Sequence, residues 1–200
     1  MKKLIDARGL TCPLPVIETR KALKTMTEGQ LEIVVDNEIA LQNLEKMAQQ
    51  MSLDYRAITI SEQEYRMDIF LSEAEGKTSE AQHRLERIEE GTIVVISSQY
   101  MGDGDPILGK ILMKGFVYTL TELDHYPSKV LLYNSGVKLA TAGSDSIGDL
   151  QKLAEQGVEI LSCGTCLDFY QLTEKLQVGG VTNMYEIAQS TMGATRIIQP

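Results

Sequence analysis

The stretch that decides the predicted fold is Thr92-Ile-Val-Val-Ile-Ser97. Its apolar residues follow one another almost without interruption, which is the pattern of a strand covered on both faces in a parallel sheet. Strands and helices then alternate with short connections to the end of the chain, and this alternation is typical of a parallel sheet with helices packed on it. We therefore predict that residues 91–200 form a three-layer α/β/α domain with a mostly parallel sheet and helices on both faces.

The elements of this domain follow from hydrophobic periodicity and from helix start and stop residues. We expect a capping box at Ser146 and Asp149, at the start of a helix that stops at Gly157. The other predicted elements are a helix from 106 to about 123, strands at 129–133 and 158–161, a helix at 167–176, a break at Gly179 and Gly180, a helix from about 182 to 192, and a strand at 195–198.

The residues before this domain predict a second, smaller one. The predicted elements are strands at 3–6 and 31–35, helices from 13 to about 26 and from 38 to 51, and strands at 55–60 and 65–71. The last two strands alternate at period two on either side of a polar turn, so they are expected to form a hairpin. We predict that residues 1–72 form a two-layer β-α-β-α-β-β domain. Residues 73–90 are expected to be a polar linker and a connecting helix at 81–90.

The composition is that of a globular, soluble chain. Of the 200 residues, 43% are hydrophobic and 24% are charged, and no stretch approaches the ~18 consecutive apolar residues of a membrane span. The net charge of −9 lies mostly in residues 73–200, and an acidic chain is a poor partner for nucleic-acid phosphates. Asp6 and Arg8 interrupt the apolar segment that a signal peptide needs. We expect a cytoplasmic protein that binds neither nucleic acid nor membranes.

Cys12 stands in the run Thr11-Cys-Pro-Leu-Pro15, directly before the first predicted helix. If Pro13 is the first helical residue, Cys12 is the N-cap, and the positive end of the helix dipole lowers the pKa of its thiol. Pro15 stiffens the first turn, and Arg8 adds positive charge nearby. Cysteine is a poor N-cap compared with Ser, Asp or Asn, so this placement favours reactivity over stability. We predict a nucleophilic thiolate, and a buried structural cysteine is the alternative.

Cys163 and Cys166 form a CxxC pair at the carboxyl end of a predicted parallel strand, where α/β sheets place their ligand crevices. A zinc site is disfavoured because it needs four ligands and Cys12, His83 and His125 show no matching spacing; both histidines are expected to be solvated. A thioredoxin-type dithiol has this spacing, but the pair comes late in its domain and the sequence contains no Trp to precede it. We prefer a nucleophile or sulfur acceptor beside a resolving cysteine. Two packed thiols are the remaining alternative, and no metal or other cofactor is predicted.

The loop Met101-Gly-Asp-Gly-Asp-Pro106 lies between a predicted strand and a predicted helix. Ile107 occupies the position of the third glycine of a GxGxxG motif, and the two aspartates repel phosphate, so a nucleotide site is not indicated. Asp105 is explained as the N-cap of the helix that Pro106 opens. Gly102 and Gly104 are expected to shape the border of the crevice that holds the CxxC pair.

The run Asp6-Ala-Arg-Gly-Leu-Thr-Cys-Pro-Leu-Pro15 resembles the CPxP signature of the TusA/SirA-like sulfur carriers. Gly9, Cys12, Pro13 and Pro15 all stand in the matching places, and the β-α-β-α-β-β order agrees with that family. The resemblance implies that Cys12 holds a persulfide received from a cysteine desulfurase or another persulfide donor. The resemblance does not indicate which protein accepts the sulfur.

Residues 91–200 resemble the DsrE-like proteins, which adopt an α/β/α fold, commonly oligomerise and include members of sulfur relays. The resemblance rests on Tyr100-Met-Gly-Asp-Gly104, Gly109-Lys-Ile-Leu-Met-Lys-Gly-Phe116 and Ser162-Cys-Gly-Thr-Cys-Leu-Asp-Phe-Tyr170. The order of the two domains resembles the YedF-like family, which is associated with selenium metabolism and sulfur transfer. The resemblance implies a homo-oligomer formed through the second domain.

These observations predict a sulfur or selenium carrier of the sulfurtransferase-like kind. In this hypothesis Cys12 accepts the sulfur and hands it to Cys163, with Cys166 as the resolving thiol. A non-catalytic adaptor, whose first domain docks on a partner while the second oligomerises, is one alternative. A CxxC dithiol oxidoreductase that does not need Cys12 is the other. Replacing Cys12 with serine distinguishes them, because only the carrier requires that thiol.

Overall fold

The chain divides into two compact units, with the boundary between residues 78 and 79. The structure, a computed structural model, describes residues 2–11, 13–61, 63–71 and 88–200, and of Gln50 only the backbone. Cys12, His83, the predicted linker and residues 81–87 of the predicted connecting helix lie outside the described residues. Each unit has its own sheet and its own hydrophobic core.

The first unit has the predicted β-α-β-α-β-β order. Its elements are β1 (Lys2–Asp6), α1 (Leu14–Lys24), β2 (Gly29–Val35), α2 (Glu38–Gln50), β3 (Asp54–Ser61) and β4 (Glu64–Leu71). The four strands form one mixed sheet in the order β1-β2-β4-β3. β1 and β2 are parallel because α1 connects them, and β4 is antiparallel to both of its neighbours.

The core of the first unit is built from alternate residues of the strands and from one stripe of each helix. In β2, Leu31, Ile33 and Val35 are buried, as the period-two pattern of a half-covered strand requires. In α2, Leu44 and Met47 are buried three residues apart on one helix face. Burial of each such side chain contributes about 1.5–3 kcal/mol. This packing holds the strand ends from which the loop to Cys12 emerges.

The second unit is an all-parallel sheet with helices, as predicted. Its elements are β5 (Ile88–Ile96), α3 (Pro106–Leu120), β6 (Tyr126–Leu132), a 3-10 helix (Asn134–Ala140), α4 (Ile147–Glu155), β7 (Glu159–Cys163), α5 (Gly164–Phe169), a short 3-10 helix (Thr173–Lys175), β8 (Gly180–Thr182), α6 (Met184–Gly193) and β9 (Arg196–Ile198). The strand order is β8-β7-β6-β5-β9, and every pair is parallel.

The strand order explains the three layers. From β5 to β8 the chain advances across the sheet in one direction, and β9 then returns to the far side of β5. Because crossovers between parallel strands are right-handed, connections that run in opposite directions lie on opposite faces of the sheet. Helices α3 and α4 therefore cover one face and α6 covers the other. The carboxyl ends of β5, β6 and β7 meet at one edge, where the CxxC pair lies.

One prediction in this unit is wrong at its start. Residues 88–90, expected at the end of the connecting helix, form the beginning of β5, and Ile88 and Glu89 pair with Tyr126 and Pro127 of β6. Helical propensity in a short segment is a weak preference, and pairing with a neighbouring strand overrides it.

Two short elements and one helix end were also not predicted correctly. β8 has three residues and begins at Gly180, so its sequence carries little strand pattern. The 3-10 helix at Asn134–Ala140 was not predicted. The helix expected at 167–176 ends at Phe169, because Gln171 has a φ of 57°, a left-handed conformation that an α-helix does not contain.

The two predicted helix caps have opposite outcomes. Asp105 caps α3 as predicted, since its carboxylate accepts hydrogen bonds from the N–H groups of Ile107 and Leu108 at 2.8 and 3.1 Å. The capping box at Ser146 is wrong, since this residue has φ −97° and ψ −2° and makes no side-chain cap. A capping hydroxyl needs the extended backbone that Ser146 lacks. The Ser146 N–H instead donates to the hydroxyl of Ser144 at 3.1 Å.

Candidate functional site

The loop between β1 and α1 is held by hydrogen bonds to β2 and to the residue after it. The Ala7 N–H donates to the Val34 carbonyl at 2.8 Å, and the Gly9 N–H donates to the Asp36 carboxylate at 2.6 Å. Gly9 has a φ of 74°, which glycine adopts without steric cost. The loop is therefore fixed to the sheet before the chain reaches Cys12.

Arg8 contributes to this loop through an ion pair with Asp6. Its Nε and Nη2 donate to the two carboxylate oxygens at 2.8 and 2.6 Å. This side-chain hydrogen bonding is the largest cause that lowers the pKa of Asp6 to about 2. The pKa of Asp36 is also lowered, first by the hydrogen bond from the Gly9 N–H. Arg8 is thus paired with Asp6, and its predicted role in shaping the site and adding positive charge near Cys12 stays a prediction.

Helix α1 begins one residue later than predicted. Pro13, not Cys12, is the N-cap, and Leu14 is the first helical residue. The Leu14 N–H donates to the Thr11 carbonyl at 2.9 Å, and the Ile17 N–H donates to the Pro13 carbonyl at 3.2 Å. The first turn of α1, all of which is described, contains no acidic residue and receives no side-chain cap from Pro13. The positive end of the helix dipole thus remains available at the residues that follow Cys12.

A cleft of about 260 Å³ opens beside the start of α1. Asn37, the N-cap of α2, is one of its lining residues and is held by a hydrogen bond from the Ala40 N–H to its side-chain oxygen at 2.8 Å. The residues around the cleft are mostly apolar: Leu10, Thr11, Pro13, Pro15, Val16, Asn37, Ile39, Ala40 and Asn43. Because peptide bonds join Cys12 to two of these residues, the cleft lies within one residue of the cysteine along the chain.

The CxxC pair has one buried and one accessible thiol. Cys163 is the last residue of β7 and the N-cap of α5, and Cys166 lies in the first turn of α5. Both are free cysteines. Cys163 is only 2% exposed, whereas Cys166 is half-buried. Since a sulfur must be reached before it can exchange, Cys166 is the member of the pair that another molecule can approach.

The surroundings of Cys166 favour its protonated form. Burial raises the pKa of the Cys166 thiol, and the hydrogen bond with Cys163 raises it further. The backbone N–H of Asn134 acts in the opposite direction by donating to the Cys166 sulfur at 3.0 Å. The net direction is upward, so at neutral pH this cysteine is mainly a thiol. A dithiol oxidoreductase of the thioredoxin type depends on the reverse, a depressed cysteine pKa.

Asn134 is a site residue that the sequence analysis missed. It follows β6 with a φ of 49°, a left-handed conformation that asparagine tolerates better than most residues. Its side-chain oxygen accepts a hydrogen bond from the Tyr170 hydroxyl at 3.0 Å, and the Lys138 ammonium lies 4.4 Å from the centre of the Tyr170 ring. The available signal was the turn-forming run Asn134-Ser-Gly136 at the carboxyl end of a predicted parallel strand.

Gln99, two residues before the glycine-rich loop, contacts this edge of the sheet. The Gln99 N–H donates to the Ser135 hydroxyl at 3.2 Å, directly beside Asn134. Gly102 and Gly104 are exposed, and Gly102 has a φ of 77°. Their role in shaping the border of the crevice that holds the CxxC pair stays a prediction.

Two general features concern metals and membranes. Within residues 2–11, 13–61, 63–71 and 88–200, no group of three His, Cys, Asp or Glu side chains is placed to hold a metal ion. His125 is exposed. No helix in the described part of the chain is long and apolar enough to cross a membrane.

Comparison with known proteins concerns mainly the first unit. The model of the family described as Sulfurtransferase TusA matches residues 3–69. A Methanocaldococcus jannaschii protein with the name "Putative sulfur carrier protein MJ0990" is 40% identical over 72 residues, which is 36% of this chain and 92% of that protein.

Two solved structures are also similar. The crystal structure of the SirA-like protein from Desulfitobacterium hafniense is 36% identical, with a TM-score of 0.34, over 36% of this chain and 99% of that one. The crystal structure of the ychN protein from E. coli is 20% identical, with a TM-score of 0.40, over 55% of this chain and 98% of that one.

Proposed function

Because the chain belongs, through its first unit, to the TusA family of sulfur carriers, we propose that it carries sulfur as a persulfide on Cys12. The proposed exchange is simple. The Cys12 thiolate attacks the outer sulfur of a donor persulfide, a new S–S bond forms, and the donor cysteine leaves as a thiolate. No cofactor is needed, and a cysteine desulfurase or another persulfide protein of the cytoplasm is the proposed donor.

The observation that carries this proposal is the start of α1. Its first turn, all of which is described, has no acidic residue and receives no side-chain cap from Pro13, so the N–H groups and the helix dipole favour a negative charge there. The hydrogen bonds from Ala7 and Gly9 hold the preceding loop in place. The same features that stabilise a thiolate also stabilise a persulfide anion, which is the charged form that is handed on.

The apolar cleft beside α1 supports a carrier that works by docking. Ile39 is 70% exposed at the edge of this cleft, and Val16 lies on the α1 side. An apolar cleft with one large exposed side chain next to a reactive position fits a surface that a partner covers. We propose that the sulfur donor and the sulfur acceptor dock here in turn.

For the second unit we propose that Cys166, rather than Cys163, receives the sulfur. Cys166 first loses its proton to solvent, its thiolate attacks the outer sulfur of the Cys12 persulfide, and Cys12 leaves as a thiolate; the raised pKa of Cys166 makes this step faster at higher pH. Cys163 can then attack the Cys166 sulfur, which releases hydrosulfide and leaves a disulfide that an external thiol reductant must open. We propose that Cys166 reacts before Cys163 because Cys163 is only 2% exposed, whereas Cys166 is half-buried. This transfer takes place within one chain or between two copies.

The first test is intact-mass and peptide analysis of the full chain after incubation with a cysteine desulfurase and cysteine, without reductant. We expect a gain of one sulfur atom on Cys12, which is lost in Cys12→Ser and kept in Cys166→Ser. A later gain on Cys166 that requires Cys12 supports the transfer between units. A selenium-loaded donor tests whether the carrier also accepts selenium.

Two results would replace this proposal. If Cys12 gains no sulfur while the CxxC pair only cycles between dithiol and disulfide, the chain is a dithiol oxidoreductase. If no cysteine changes, and Cys12→Ser keeps the binding of the partner, the chain is an adaptor.

A further inference from the structure

The second unit contains a cavity that the proposed sulfur chemistry at the cysteines does not use. It has a volume of about 510 Å³ and is formed by α3, by the 3-10 helix after β6, by the loop that leads to α4, and by Tyr170 and Leu172. Cavities of about 300–1,000 Å³ are the usual size for a metabolite-sized ligand.

The charge around this cavity is opposite to that of the chain. Lys110, Lys114 and Lys138 line it, and Asp145 is its one acidic lining residue among those described. Lys110 pairs with Asp145 at 3.5 Å, which leaves an excess of two positive charges among the lining side chains, and Lys114 also interacts with the carboxylate of Asp149. The whole chain has a net charge of −9. A concave basic site on an acidic protein concentrates anions and repels cations.

The remaining lining suits an organic molecule more than an inorganic ion. Ile111, Leu139 and Leu172 supply apolar surface, and the ring of Tyr170 supplies an aromatic one. Lys138 is held over that ring at 4.4 Å from its centre, so its ammonium has a defined position. Apolar walls with a few charged groups are the common composition of small-molecule sites.

We propose that this cavity binds a small organic anion, with its carboxylate or phosphate at Lys114 and Lys138 and its apolar part against the aliphatic wall. Two successive hydrogen bonds connect the cavity with the accessible thiol of Cys166. Tyr170 lines the cavity and donates to Asn134, and the Asn134 N–H donates to the Cys166 sulfur. The proposal does not depend on sulfur transfer, since binding requires neither Cys12 nor Cys166.

The test is isothermal titration calorimetry of the full chain with three probes. Glutathione represents anionic thiols, AMP represents phosphates with an aromatic group, and sodium sulfate represents an inorganic anion. We expect at least one organic probe to bind, and to bind at least tenfold more weakly to Lys114→Gln and to Lys138→Gln. Charge-conserving Lys114→Arg is expected to bind within about threefold of the original chain, since the lysine acts mainly by its charge.

The matched control is Lys46→Gln, an exposed lysine of α2 in the first unit that changes the net charge equally. It is expected to leave binding unchanged. The proposal is overturned if neither organic probe binds, if only sulfate binds, or if Lys46→Gln weakens binding as much as Lys114→Gln does. Which organic probe binds distinguishes a thiol from a phosphate ligand. The readout is the heat of binding, and it can be measured with Cys12 and Cys166 both replaced by serine. Failure of this proposal therefore leaves the carrier proposal standing, and failure of the carrier proposal leaves this one standing.

Discussion

Substitution of Gly136 by alanine tests how the carboxyl edge of the parallel sheet holds Cys166. Gly136 lies in the 3-10 helix after β6 and packs against the end of β5. A Cβ added here would lie deep inside the contact distance of the Ile96 carbonyl oxygen and 3.0 Å from its carbonyl carbon. Both of these atoms belong to the backbone, so no side-chain rotation can relieve the contact.

The magnitude follows from that geometry. The 3-10 helix must move by about 1 Å to restore a normal contact distance. Overpacking of this kind costs about 1–3 kcal/mol, and a rigid backbone partner favours the upper part of that range. With a urea m-value of about 1–3 kcal/mol/M, the unfolding midpoint of the second unit should fall by about 1 M. The same movement is large enough to break the 3.0 Å hydrogen bond from Asn134 to Cys166, which raises the pKa of that thiol further.

The assay is urea unfolding of the full chain, followed by amide signals of the second unit. Alkylation of Cys166 by iodoacetamide at pH 7 is measured alongside it. Gly148→Ala is the control, because an added Cβ there meets nothing within 4 Å and the residue lies in α4. It should be neutral or stabilise by about 0.4–1 kcal/mol. If Gly136→Ala unfolds at the same urea concentration as Gly148→Ala, with Cys166 alkylated at the same rate, the reasoning is refuted.

Three further predictions concern the loop, the thiol and the oligomer. The Asp6 carboxyl should titrate at about 2 by NMR and move up towards 3.8 in Arg8→Gln, so its contribution to stability is present above pH 3.8 and is lost as the pH falls through about 2. Alkylation of Cys166 should be slower at pH 7 than that of a free thiol and should accelerate as the pH rises above the ordinary thiol range, because burial favours the protonated form. The chain should form a homo-oligomer through exposed apolar residues of α3, so that Leu108→Glu with Leu112→Glu reduces the mass measured by light scattering to that of a monomer.

Each of these predictions has its own control and its own contrary result. Lys21→Gln should leave the Asp6 titration unchanged, and a midpoint near 3.8 in the original chain would contradict the ion pair. Cys163→Ala should lower the pKa of Cys166 by removing one raising cause, and fast alkylation at pH 7 in the original chain would contradict the buried thiol. Leu4→Glu in the first unit, which is 60% exposed, should keep the oligomer, and a monomeric original chain would contradict the α3 interface.

The regular elements of both units could be predicted because their burial follows local periodicity. Leu31, Ile33 and Val35 alternate in β2, and this alternation places each of them on the covered face. The cap at Asp105 was equally local, since it requires only one side chain and the first turn of α3.

The elements that could not be predicted depend on distant partners. Residues 88–90 were expected at the end of a helix, but Ile88 and Glu89 pair with Tyr126 and Pro127 of β6, 38 positions later in the chain. The Asn134 N–H reaches Cys166 only because β6 and β7 are neighbours in the sheet. The sequences of the two strands do not predict that they are neighbours. The difference in exposure between Cys163 and Cys166 likewise depends on packing around the end of β7.

By itself the sequence determined that this is an acidic α/β chain of two parts, with a CPxP run before its first helix and a CxxC pair after a parallel strand. These features are local: they require only neighbouring residues and the periods of helix and strand. The tertiary structure decided which thiol is accessible, that Arg8 is paired with Asp6, and that three lysines surround one cavity. Exposure, pKa and cavity shape depend on groups far apart in the chain, and only the folded arrangement brings those groups together.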